Sequence, residues 1–318
     1  MATNTSFLGI KKRRPCYTCR GTARTPYCAI RDGEKPNRRI RKEYESKMNE
    51  TTYALGHSPA EIQRLKNQGA MLRPITERLL RNAGINDGMR ILDLGCGAGD
   101  VSILAAQMVG PGGSIVGIDR SQEVLEVAKE RAREERLPQI TFIQTSIEAF
   151  SAREPFDLVI GRYILIHQPE PIALLRNAAR LVRQGGTLAF HEIRLGDDTG
   201  SFPHVRLWDL AAKLIRTALQ SSVPNYYAAD RLVEHFCDAG LPYPHLFCEK
   251  IVGCGSDSPL YGSLAELVQS LKPHLERTGS IPAGTIEMEG LESRIRDAVV
   301  EARSQVFGPA QVCAWARL

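Results

Sequence analysis

Ile91-Leu92-Asp93-Leu94-Gly95-Cys96-Gly97-Ala98-Gly99-Asp100 decides the reading of this chain. An apolar strand runs through an acidic residue, passes three glycines at alternate positions, and opens a helix over residues 101–109. Glycine is demanded there because the backbone must turn sharply and let a ligand approach with no Cβ in the way. A dinucleotide fingerprint would place glycine at the sixth position of G-x-G-x-x-G, and that position is Asp100. The pattern is instead acidic-x-G-x-G-x-G, with the Asp93 carboxylate two residues ahead of the first glycine. Such a loop suits a ligand with a positively charged amino-acid end and no pyrophosphate.

The flanking sequence keeps one rhythm. After the turn Pro111-Gly112-Gly113 comes a strand over 114–118 that ends on Asp119. A carboxylate at the tip of a second strand, about 20 residues past the glycine loop, is placed to accept hydrogen bonds from ribose hydroxyls. An amphipathic helix over 122–136 follows, then strands over 140–144 and 156–162, a helix over 172–182, a turn over 183–186 and a strand over 187–190. Short apolar strands alternating with helix-period segments predict a parallel sheet covered on both faces.

From about Leu79 to Glu192 this succession resembles the core of the class I methyltransferases, whose cofactor is S-adenosylmethionine (SAM). Within them it is most similar to the branch of ubiquinone and menaquinone biosynthesis enzymes and other small-molecule methyltransferases. The resemblance implies a doubly wound, mostly parallel α/β sheet, Rossmann-like, in strand order 3-2-1-4-5 with an antiparallel edge. It also implies transfer of a methyl group from SAM to an oxygen, nitrogen or carbon atom of a small organic acceptor. After the fourth strand, Gly161-Arg162-Tyr163-Ile164 matches neither the Asn/Asp-Pro-Pro-aromatic tetrapeptide of adenine and glutamine N-methyltransferases nor the Pro-Cys pair of cytosine-C5 enzymes.

By the same resemblance, Asp93 would face the cofactor's ammonium, directly or through water. Gly95, Gly97 and Gly99 would close around its amino-acid and ribose parts, and Asp119 would hold the ribose hydroxyls. Arg120 and Ser121 would pack near the adenine, although Ser121 also fits as a helix N-cap. Family members often carry an acidic residue after the third strand for the adenine amino group; here Ser146 stands at that place, with Ile147 supplying a backbone N–H. Arg162 could bind the cofactor carboxylate or an anionic substrate. His167 could act as general base or simply bond backbone near the cofactor. His191 and Glu192, ending the fifth strand, could contact substrate or serve as a cap or loop salt bridge.

Composition bounds the rest. The chain of 318 residues is long enough for one large domain with an appendage. No apolar run approaches the roughly 20 residues that cross a bilayer, and Lys11-Lys12-Arg13-Arg14 interrupts any secretory leader. Scattered cysteines, mostly in apolar surroundings, read as reduced and cytoplasmic. The net charge of +5 is concentrated at the start: residues 1–50 hold 13 Lys and Arg against 5 Asp and Glu, whereas the remainder holds 28 against 31. A slightly acidic body offers no groove for nucleic acid.

Residues 1–47 are polar and arginine-rich, and are expected to form a disordered, dispensable extension ahead of a methyltransferase domain over 48–318. Cys16, Cys19 and Cys28 provide three thiols where a zinc site needs four ligands, so no metal is expected. Ser58, Pro59 and Glu61 form a capping box that starts a helix to about Ala70, with a second helix over 74–83.

The carboxyl third exceeds a minimal methyltransferase. Residues 196–240 carry Phe202, His204, Trp208, Asp209, Tyr226 and Tyr227, which suit a lid over an acceptor pocket, and end in a helix over 229–239. Strands over 247–252 and 311–317 would close the sheet. Between them, residues 253–306 hold two helices, 260–277 and 288–306, that either cover the site or join two copies as a homodimer. Two rival readings are an RNA or protein methyltransferase docking through the basic tail, and a SAM-binding regulator without turnover.

Overall fold

The computed structural model describes residues 59–196, 199–279 and 287–318. The cysteine-bearing basic segment, the Met48 start and the Ser58 cap lie outside them. Seven strands form the central sheet: β1 (Arg90–Leu94), β2 (Ser114–Asp119), β3 (Ile140–Gln144), β4 (Phe156–Arg162), β5 (Val182–Arg194), then β7 (His245–Glu249) and β10 (Ala310–Arg317). Their order is β3-β2-β1-β4-β5-β10-β7, with β1 to β5 parallel and β10 antiparallel to both neighbours. Ile91, Leu92 and Leu94 of β1 are fully buried, which is why the strand reads as an unbroken apolar run rather than an alternation.

The expected 3-2-1-4-5 order is present, with one correction. The antiparallel strand is not the edge; β10 lies one place inside, and β7 closes the sheet. Burial explains the choice, since β10 is buried along almost its whole length while β7 is half exposed, as an edge strand tolerates. The expected strand over 247–252 is divided: β7 stops at Glu249, and β8 (Val252–Gly253) joins a second sheet with β6 (Ser201–Phe202) and β9 (Gln305–Phe307) in the order β6-β9-β8.

Helices α2 (Asp100–Val109), α3 (Gln122–Glu134) and α4 (Pro171–Leu181) fall within a residue or two of expectation. The amino-terminal pair is one helix, α1 (Pro59–Asn82), with Pro74 inside it. An internal proline costs roughly 3 kcal/mol. Burial of Ile75, Leu79 and Leu80 against the sheet outweighs that cost and keeps the helix continuous.

Beyond β5 come α5 (Arg206–Ser222), α6 (Leu232–Asp238), α7 (Leu260–Arg277) and α8 (Leu291–Glu301). The expected helix over 229–239 begins as a 3-10 turn at Ala229–Arg231, and that over 288–306 ends at Glu301, so the chain can turn back as β9. The two segments 196–240 and 253–306 share a core with the sheet, where Trp208 of α5 meets Tyr261 of α7 edge-on at 6.4 Å. They form one covering layer. Among the described residues no helix is long and apolar enough to cross a membrane.

Candidate active site

The glycine loop leaves β1 with Gly95 in the left-handed region (φ 60°), where a Cβ would lie 2.2 Å from Ile164 Cδ1. Gly97 (φ 51°) is the opposite case: a Cβ there would meet no atom within 4 Å. The loop is therefore walled at Gly95 and open at Gly97. Gly97 N–H donates to Asp119 Oδ2 at 3.0 Å, and Ser121 N–H donates to Oδ1 at 2.9 Å. Two separate sequence motifs thus meet in space, with Oδ2 on the glycine loop and Oδ1 on the start of α3.

Asp93 sits beneath the loop. It is 1% exposed, accepts the Ser102 hydroxyl at 2.6 Å, and burial pushes its carboxyl up to about 7. The structure thus shows it bracing α2 from below. Asp100 opens α2 and is gripped by two arginines, Arg131 at 2.9 Å and Arg162 at 3.5 Å. Arg162, expected to meet an anionic ligand group, is partnered here by this carboxylate. Ser146 accepts Ala149 N–H at 3.2 Å and Ile147 is buried, both in the turn after β3 that Thr145 N–H ties to Asp119 O at 2.9 Å. Arg120 is exposed and paired with Glu148 at 2.9 Å, and Ser121 caps α3.

The two histidines occupy different settings, His191 within β5 and His167 in the turn beyond β4. His191 is fully buried, with Nδ1 3.0 Å from Thr76 Oγ1 and Nε2 3.0 Å from Gln311 Oε1. Burial, reinforced by Arg162, pushes its pKa down to about 3. His167 closes a 3-10 turn over Leu165–His167, and burial pushes it down to about 4. An effective general base has its pKa near the working pH, so both imidazoles are poorly matched to that role. Desolvation keeps both imidazoles neutral and weakly basic in this fold. Glu192 is buried and accepts Ile164 N–H at 2.9 Å, Leu165 N–H at 2.8 Å and Ile166 N–H at 3.4 Å. It holds the loop after β4 and is pushed up to about 8 by burial.

Beside the ends of β4 and β5 lies a pocket with about 680 Å³ of empty space, its open mouth included. Met71 of α1, Ile193 of β5, Trp208 and Ile215 of α5, and Leu264 and Leu267 of α7 give it apolar walls, and polar or charged groups come from Tyr163, Gln311 and Arg216 among others. Neither histidine, nor any Asp or Glu, lines it. The helix over 260–277 lines this pocket through Leu260, Ser263, Leu264 and Leu267.

Two contributors were missed from the sequence. Gly69 of α1 lies against the loop, since a Cβ there would fall 2.3 Å from Asp100 Cγ; a lone glycine inside an amphipathic helix was its only signal. Gln311 lies in the strand most distant in sequence from the glycine loop, and nothing local marks it.

A sheet of this order, with an acidic-x-G-x-G-x-G loop after β1 and a carboxylate ending β2 hydrogen-bonded to that loop, defines a class I SAM-dependent methyltransferase. Residues 85–260 match the family model described as a methyltransferase domain. The aklanonic acid methyltransferase DauC of Streptomyces sp. (strain C5) is 31% identical over 208 residues, covering 65% of this chain and 91% of that protein. A ubiquinone biosynthesis O-methyltransferase of Vibrio cholerae is 38% identical over 105 residues, 32% of this chain and 41% of that protein, so under half of that relative is spanned. Among solved structures, a Bacillus halodurans C-125 protein assigned as a methyltransferase superposes with a TM-score of 0.51 at 17% identity, covering 76% of this chain and 97% of that one, which supports the fold. This chain belongs to the methyltransferase-domain family, and its cofactor is SAM. The residues present fit that cofactor: the loop is open where Gly97 lacks a side chain, and the Asp119 carboxylate is held against it through Oδ2.

Proposed function

We propose that this enzyme methylates an oxygen atom of a small, largely apolar organic molecule seated in the pocket between α1, α5 and α7. The observation that carries this reading is the lining itself. It opens beside Tyr163, the residue after β4, and presents apolar side chains with no carboxylate to attract a cationic amine. Its relatives agree in kind, one acting on aklanonic acid and others being O-methyltransferases of ubiquinone biosynthesis.

SAM supplies an activated methyl group on a sulfonium, so the chain's own residues mainly bind, orient and exclude water. In this proposal Asp119 holds the ribose hydroxyls, while Gly95, Gly97 and Gly99 cradle the amino-acid and ribose parts. Ser146 and Ile147 border the adenine with Arg120 at its rim. Arg162, balanced by Asp100, faces the cofactor carboxylate, and Asp93 acts on the ammonium side from beneath the loop. A cytoplasmic setting belongs to the proposal and is supported by the unbridged thiols of Cys96, Cys237, Cys248, Cys254 and Cys313. The covering role of α7 does not call for a second copy.

Calorimetric titration with S-adenosylhomocysteine tests the cofactor site. Wild-type protein should bind it, and Asp119→Ala should bind at least tenfold more weakly, since hydrogen bonds to a charged group contribute about 1.5–3 kcal/mol each. Equal affinity in the two would overturn the ribose assignment. Turnover of phenols, with amines inert, would support oxygen as the acceptor atom.

A further inference from the structure

Tyr163 lines the pocket, follows β4 directly and is held in the left-handed region at φ 57°. A side chain larger than glycine or asparagine takes that conformation at a cost, and persists in it where the surroundings impose it. Here its N–H donates to His191 O at 2.8 Å, and its hydroxyl lies 2.6 Å from Gln311 Oε1.

The direction of each hydrogen bond in this cluster follows from elementary valence. Gln311 Nε2 donates to Pro309 O at 3.2 Å, which orients the amide. The amide oxygen can only accept, so Tyr163 O–H and His191 Nε2–H must both donate to it. His191 Nδ1 is then an acceptor facing the Thr76 hydroxyl at 3.0 Å, whose one proton is also within reach of Leu72 O at 3.3 Å. The single proton of Tyr163 is thereby committed. What its oxygen offers a molecule in the pocket is lone-pair density and no donor.

We propose that Tyr163 Oη accepts a hydrogen bond from the hydroxyl to be methylated, and so selects acceptors that have a proton to give. The inference rests on the pocket being the acceptor site. Bound in this way, the hydroxyl keeps a lone pair free for the methyl carbon while its O–H is turned toward Tyr163. Transfer forms the O–CH3 bond and breaks the S–CH3 bond, with the electron pair staying on sulfur. The hydroxyl proton is released to water through the open mouth of the pocket. Gln311, His191 and Thr76 act through Tyr163 as positioning residues.

The test uses the full chain saturated with S-adenosylhomocysteine and two probes of one skeleton, 2-naphthol and 2-methoxynaphthalene, titrated by calorimetry. The readout is the ratio of the two affinities, because a loosened pocket lowers both together. Wild type should favour 2-naphthol, and Tyr163→Phe should lower that ratio roughly tenfold, the loss of one hydrogen bond. Gln311→Met frees the Tyr163 proton to donate to the ether oxygen, and should lower the ratio as well without removing the tyrosine. The double variant should fall no further than Tyr163→Phe alone. Gln311→Met keeps the question open to decision if the tyrosine variant fails to fold. A ratio unchanged in both variants would overturn the assignment, as would binding of neither naphthalene by protein that holds S-adenosylhomocysteine. Failure to bind S-adenosylhomocysteine at all would strike the methyltransferase reading instead.

Discussion

Glu192 shows how one buried carboxyl shapes the site without entering it. The chain after β4 leaves the N–H groups of Ile164, Leu165 and Ile166 short of partners, and Glu192 supplies both oxygens to them. Its carboxyl titrates near 4.5 when exposed and about 8 when folded, so between those values the folded chain holds a proton that the unfolded chain has lost. Stability therefore falls as pH rises through that window. Asp93, raised from 3.8 to about 7, acts in the same direction. The lowered His167 and His191 act oppositely, but only below their ordinary value of 6.5. From pH 6.5 to 8 the carboxyl trend should stand alone, and the thermal midpoint should decline across it. Glu192→Gln keeps an Oε1 acceptor for two of the three N–H groups and cannot ionise, so its decline should be shallower. An identical slope would remove Glu192 as the source. At this scale the sequence was legible for residues whose role is local: the three glycines, Asp119 at a strand tip and Ser121 as a cap. The settings of His191 and Glu192 depend on what packs against β5, Thr76 of α1 and Gln311 of β10 for the one and the turn after β4 for the other, and no neighbouring residue encodes that.

Helix α1 borders both halves of the site. Gly69 touches Asp100 at the mouth of the glycine loop, while Gln68 and Met71 line the pocket. An exchange of glycine for alanine within a helix ordinarily stabilises by up to about 1 kcal/mol. At Gly69 the sign should reverse. The added Cβ would sit 2.3 Å from Asp100 Cγ, and Arg131 and Arg162 prevent that carboxylate from retreating. Gly69→Ala should cost about 1–3 kcal/mol by overpacking, and removal of the obstruction in Gly69→Ala/Asp100→Ala should recover part of it. Thermal unfolding decides the matter, and a higher midpoint for Gly69→Ala would contradict the packing described. Elements with strong periodicity, such as α2, α3 and α7, could be read to within a residue or two. The break expected at Pro74 fails because tertiary burial overrides a local penalty, and the division of β7 from β8 is set by which sheet each segment meets.

At the scale of the described residues, a SAM-dependent methyltransferase sheet carries a pocket beside its strand ends, built by segments far apart in sequence. Substituting Leu264→Trp, on the covering helix α7, should fill the pocket. It should abolish methyl transfer and naphthol binding while leaving S-adenosylhomocysteine affinity within about twofold, since distant sites are nearly independent. Concurrent loss of the cofactor analogue would show that pocket and loop are not separable. The fold class was plain in the sequence because parallel strands advertise themselves as apolar runs; the pocket was not, since its walls come from α1, α5, α7 and β10 together. That same arrangement bears on how the protein is made. Ala310 of β10 pairs with Arg194, and Arg317 with Thr187, across the entire covering layer. During synthesis on the ribosome, β5 therefore emerges with its long apolar margin unpaired and waits for a strand more than a hundred residues later. That interval is a window for misassociation between nascent chains, and the stage at which a chaperone would be of most use to it.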